Sequence, residues 1–139
     1  MGLRELFEDV EEALASIAKE VEGVEEVSIS EPSLSRGFKS PRVFIWIRDG
    51  ETRELTISGK KLHLWRFEYV IDAVSADPRI AYSDAKRIMW SIYERIEADK
   101  SLGGLVREAK PIRFERVEAP SPEAYGHRIY MLVEVLVED

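Results

Sequence analysis

Residues 77–106, DPRIAYSDAKRIMWSIYERIEADKSLGGLV, constrain the fold of this chain more than any other stretch. Ala81, Ala85, Ile88, Met89, Ile92 and Ile96 recur at three- and four-residue spacing, the period of one helical face. Asp77 followed by Pro78 makes an N-cap and first-turn pair, because Pro fixes φ near the helical value where its missing N–H is not needed. Ser83 is the rival start, which would leave 77–82 as a loop. Gly103 and Gly104 break the period and accept positive φ, so the helix stops near Lys100. The chain therefore has one long helix in its middle, closed by a tight glycine turn.

A second helix is predicted over residues 3–21, where Leu3, Leu6, Phe7, Val10, Leu14, Ile17 and Val21 fall on one stripe and Gly23 ends the pattern. Its opposite face carries Glu5, Glu8, Asp9, Glu11 and Glu12, a solvated acidic face favourably placed near the positive helix end. The rest alternates as strands do. Residues 24–30 form a short strand. Residues 43–49 form one with Val43, Ile45 and Ile47 on one side and Phe44 and Trp46 on the other. Asp49-Gly50 is a two-residue hairpin signal, with a return strand over 52–57 and a turn at 58–61. In 62–74, Trp65, Phe67, Tyr69 and Ile71 share a face opposite Arg66, Glu68 and Asp72. Residues 106–119 form a strand whose apolar face is Ile112 and Phe114, with Pro111 marking an edge or bulge. A Pro-rich loop over 119–126 leads to a last strand at 127–137. Strands joined mostly by hairpins make a largely antiparallel sheet of about five to six strands. Two helices must cover one of its faces. The expected fold is a single α+β domain over 1–139, a two-layer sandwich in the order α-β-β-β-β-α-β-β.

Composition excludes several classes of function. There is no Cys, so disulfides and thiolate chemistry are absent. A net charge of −7 opposes a broad electrostatic footprint on nucleic acid. No run approaches the ~20 apolar residues of a membrane helix, and the acidic, amphipathic start is unlike a secretory signal. The expectation is a soluble intracellular protein. Asn and Gln are absent, 34% of residues are charged and Arg outnumbers Lys, a thermophile pattern.

Catalytic motifs are scarce. His63 and His127 stand at strand starts far apart in sequence, with no HExxH and no EF-hand spacing. No catalytic residue, metal ligand or cofactor site is expected. Trp90 lies beside Met89 but off the helical stripe, which fits either a wide stripe or a subunit contact. Residues 31–42, EPSLSRGFKSPR, form a long loop that is the most basic part of the chain.

The stretch RIMWSIYERIEADKSLGGLV, the strand REAKPIRFERV and the closing HRIYMLVEVLVED resemble the tail-terminator, or tail-completion, proteins that join head to tail in long-tailed phages. The local match is an acidic residue, a hydroxyl residue and Leu-Gly-Gly near the helix end, here Asp99, Ser101, Leu102, Gly103 and Gly104. The loop 31–42 and the thermophile composition depart from the pattern and fit an archaeal virus or provirus. The resemblance implies a virion protein without catalysis. It would form a ring, commonly a hexamer, that caps the tail tube and contacts the head connector, with at most channel contact to DNA. Its location would be the virion or host cytoplasm. Candidate interface residues are Arg36, Phe38, Lys39 and Arg42 in the loop, Trp90 on the helix, and Leu102, Gly103 and Gly104 in the turn. Two other readings stand beside it: a stand-alone α+β module binding a protein or ligand, and an enzyme using His63, His127 and strand-end acids.

Overall fold

The computed structural model describes residues 2–33, 39–55, 59–118 and 125–138. Two helices and five strands follow in the order α1 (Leu3–Lys19), β1 (Glu26–Ile29), β2 (Arg42–Glu54), β3 (Lys61–Ser75), α2 (Pro78–Ala98), β4 (Glu108–Glu118) and β5 (Tyr125–Glu138). The strands form one sheet in the order β1-β2-β3-β5-β4. Every pairing is antiparallel except β1 with β2. The α+β sandwich expected from the sequence is what forms.

Both helices end where local chemistry dictates. The Asp77 carboxylate accepts the Arg79 backbone N–H at 2.9 Å, and Pro78 fills the first helical position. At the end of α1, Gly23 takes φ +87°, a left-handed conformation that favours glycine. Two arginines of α2 then satisfy carbonyls there: Arg87 donates to the Glu22 carbonyl at 2.6 Å and Arg95 to that of Glu20 at 3.2 Å. Their charge also suits the negative end of the α1 dipole.

One face of the sheet meets the helices. Val43, Ile45, Phe67, Tyr69 and Ile71 from β2 and β3 join Ile129, Met131, Val133 and Val135 of β5 in a single core with Val10 and Leu14 of α1 and Ile88, Ile92 and Ile96 of α2. α1 lies over β1 and β2, and α2 lies over β3, β5 and β4.

Two local expectations are corrected. Asp49-Gly50 is not a hairpin: β2 runs through it, pairing Asp49 with Arg66 and Gly50 with Trp65 after a register shift between Ile47 and Asp49. The glycine serves close approach instead. A Cβ on Gly50 would lie 3.2 Å from the Trp65 ring and 3.3 Å from the Leu64 carbonyl oxygen. The β2–β3 connection comes later, where the Leu55 N–H donates to the Lys60 carbonyl at 2.8 Å. Ile112 and Phe114 do not form a buried face of β4. A bulge between Pro111 and Arg113 puts Ile112 out of the ladder, both side chains are exposed, and Ala109 is the buried residue of the strand.

Candidate functional site

α2 presents its apolar stripe to the sheet, and each residue turns about 100° around the axis. Trp90, one step past buried Met89, therefore swings toward the side of the helix and is 42% exposed. β4, the outermost strand on that side, places Phe114 next to it, 56% exposed. The two rings meet edge-on with centroids 6.0 Å apart, and Tyr93 packs on Trp90 at 5.3 Å. The same side continues toward the start of α2. Tyr82, Lys86 and Trp90 are spaced four residues apart, so they line one edge of the helix. The Lys86 ammonium sits 5.0 Å over the Tyr82 ring. Tyr82 approaches His127 at 5.6 Å, and Arg116 of β4 lies 3.2 Å from His127 Nδ1. Among the described residues no strand pairs with the outer edge of β4. The result is an aromatic and cationic flank along an open strand edge.

The opposite flank has the other charge. The exposed face of α1, which packs over the edge strand β1 and over β2, holds Glu5, Glu8, Asp9 and Glu12. Burial, and then the neighbouring Glu8 and Glu12 carboxylates, hold Glu11 above the usual carboxylate range.

The face of the sheet away from the helices is closed by charge pairing. Asp72 accepts from Arg42 Nε at 2.9 Å and from Arg128 Nε and Nη2 at 2.6 and 2.8 Å. Both arginines also donate to the Ser33 carbonyl, at 3.0 and 2.7 Å. All three ionic side chains are buried. Hydrogen bonding to Asp72 raises the already high pKa of Arg128. Alongside, Trp46 Nε1 donates to Glu68 at 2.9 Å, and Arg66 contacts Asp49, Glu51 and Glu134. No sequence pattern marked the Asp72 cluster, because its members lie on three strands.

The predicted interface residues fall in different settings. Arg36 and Phe38 lie outside the described residues. Lys39 is exposed, whereas Arg42 opens β2 and is buried against Asp72. Trp90, for which the sequence left a wide stripe or a subunit contact open, is exposed. Leu102 is buried in the core with φ +51°, while Gly103 and Gly104 are exposed with φ of +71° and +87°. The acidic–hydroxyl–Leu-Gly-Gly pattern is a self-contained turn. The Asp99 carboxylate accepts from Ser101 Oγ at 2.7 Å and from the Gly103 N–H at 2.8 Å, and Ser101 Oγ accepts from the Gly104 N–H at 3.0 Å. These bonds, Ser101 first, hold the Asp99 carboxyl below its ordinary pKa.

The two histidines do not meet. His63 pairs with Val137 and His127 with Ala73, opposite ends of one ladder, roughly 30 Å apart at the rise of a strand. His63 is buried, with Nδ1 2.9 Å from the Thr52 hydroxyl. A groove of about 460 Å³ between α1 and α2 is lined by Val21, Glu22, Arg87, Ser91, Glu94, Arg95 and Ala98. Its arginines are bonded to the end of α1. Among the described residues no group of three or more acids and histidines could hold a metal ion, and no helix is long and apolar enough to cross a membrane.

No protein-family model matches the chain, and no curated protein matches it either. Among solved structures it is similar to a chain described as "Virion of native gene transfer agent (GTA) particle", at 11% identity and a TM-score of 0.47, over 91% of this chain and 84% of that one. At that identity and score the likeness carries no inference about partners or activity.

Proposed function

We propose that this protein is a structural protein of a virus-like particle that assembles into a ring, capping a tail tube or joining tail to head. The observation that carries the reading is the aromatic flank of Trp90, Tyr82 and Phe114 beside the outer edge of β4, which is unpaired among the described residues. Exposed aromatic clusters at an open sheet edge are what subunit contacts use, and an uncovered edge otherwise invites indiscriminate pairing. The resemblance of the Asp99–Gly104 turn and of the element order to tail-terminator proteins supports the same assignment. The partners are further copies of the chain, the tube below and the head connector above. DNA passes the channel without being read. The role involves no catalysis, metal or cofactor. The protein works in the particle and, before assembly, inside the host cell.

Solution mass by light scattering, across protein concentration and at low and high salt, tests the reading. A discrete mass near six subunits, alone or on addition of tail-tube protein, is the expected result. A monomer under all these conditions, with a melting temperature that rises on adding a small ligand, would replace it with the binding-module reading.

A further inference from the structure

We propose that the α2/β4 flank of one copy docks on the α1/β1 flank of the next copy, head to tail. The inference rests on the ring reading above and names the surfaces that build the ring.

The exposed apolar side chains are distributed for such a contact. Among the described residues, α2 and β4 carry Ile80, Tyr82, Trp90, Ile112, Phe114 and Val117, while α1 and β1 carry Leu3 and Ile29. Among the described residues Leu55, at the end of β2, is the one large exposed apolar residue on neither flank. Both flanks also end in a sheet edge, β4 on one side and β1 on the other.

Charge selects the occupant. Residues 1–31 hold ten acidic and two basic side chains, a charge of −8, so the segment that forms α1 and β1 accounts for the acidity of a chain whose net charge is −7. On the other flank, Lys86 and Arg116 stand beside the aromatic cluster. Their contacts are the Tyr82 ring and His127, and among the described residues neither forms an ion pair. A two-fold contact through β4 would bring a flank that carries Lys86 and Arg116 against an identical flank. A head-to-tail contact sets them against Glu5, Glu8 and Glu12. Such a contact uses different surfaces on the two partners and closes into a ring when its rotation permits. The aromatic residues supply affinity, and the charges choose orientation and partner. Burial first, and then the neighbouring Glu8 and Glu12, raise the pKa of Glu11, and incoming cations relieve the second of these causes.

A charge exchange tests this contact. One variant carries Lys86→Glu with Arg116→Glu, and the other carries Glu8→Lys with Glu12→Lys. All four sites are exposed, and thermal unfolding verifies that each variant folds. Light scattering at low salt is expected to give the assembled mass for the natural protein, monomer for each variant alone, and the assembled mass again when the variants are mixed in equal amounts. Only opposed flanks of unlike charge restore assembly in the mixture.

If the natural protein assembles while either variant alone keeps that mass, or the mixture stays monomeric, the flank pairing is overturned and the ring reading stands. A natural protein and a Glu8→Lys/Glu12→Lys variant that both form pairs and nothing larger, beside a monomeric first variant, identify a two-fold β4 contact and overturn it too. So does unchanged mass combined with loss of single-stranded DNA retention in the first variant. A natural protein that is monomeric at every concentration, with and without tail-tube protein, overturns both readings.

Discussion

The Tyr69 hydroxyl donates a hydrogen bond to the Leu14 carbonyl at 2.7 Å, fastening the centre of β3 to α1 deep in the core. Tyr69→Phe keeps the ring and removes that bond, so it should destabilise the protein by about 1 kcal/mol in urea unfolding. Burial pushes the Tyr69 hydroxyl well above its ordinary pKa. The unfolded chain ionises at about pH 10, while the folded one does not, so stability is complete below that pH and falls as pH rises beyond it. The phenylalanine variant should lose that part of the alkaline decline.

Asp72 lies between two buried arginines. Asp72→Ala leaves Arg42 and Arg128 facing each other without the carboxylate. A loss of about 3–5 kcal/mol is expected, the usual result of breaking a buried ionic group from one side. Asp72→Asn retains acceptor geometry at one oxygen and should lose less. Denaturant midpoints of the two variants check the order.

Gly23 combines positive φ with close approach. A Cβ there would lie 2.8 Å from Arg87 Nη2. Gly23→Ala should destabilise by about 1 kcal/mol from backbone conformation alone, and further from the displaced guanidinium. In a double-mutant cycle with Arg87→Ala the contact part disappears and the backbone part stays.

The Asp99 turn predicts an acid response. The folded-state pKa of Asp99 is lowered, so its contribution is present above the unfolded carboxylate range and is lost as pH falls through the folded value. Asp99→Ala should weaken the turn at neutral pH and flatten its response as pH falls below the ordinary carboxylate range. Amide exchange at Gly103 and Gly104, whose N–H groups are held by Asp99 and Ser101, reads the effect locally.

Trp90 separates assembly from folding. Its exposure means that Trp90→Ala should change unfolding by less than about 1 kcal/mol. As an interface anchor it should weaken assembly by ~2 kcal/mol, roughly thirtyfold in concentration. Phe114→Ala, at the partner ring, should act in the same direction. Thermal melts and light scattering on the same samples distinguish the two effects.

Much of this architecture was legible in local sequence. The stripe from Ala81 to Ile96, the Asp77-Pro78 start and the glycines after Asp99 define α2 through interactions within a few residues. The position of Trp90 off that stripe left a wide stripe and a subunit contact both open, and only the structure gives its exposure. Asp49-Gly50 shows where local reading fails. The dipeptide favours a tight turn in isolation, but β3 offers a partner for residues on both sides of it, and the ladder runs on through Glu54. Phe114 shows the same limit. Strand faces alternate every residue, so the bulge after Pro111 reassigns the residues beyond it, and only the pairing with β5 locates that bulge.

Helix ends, turn glycines and amphipathic faces were determined by the sequence itself, because backbone dihedrals, caps and side-chain periodicity act over one or two turns of chain. The order of the strands, the burial of Arg42, Asp72 and Arg128 around one carboxylate, and the meeting of Trp90 with Phe114 were decided by tertiary structure. Those contacts join residues tens of positions apart. Their energies depend on sheet register and on which edge remains unpaired, and neither is encoded in the neighbourhood of any one residue.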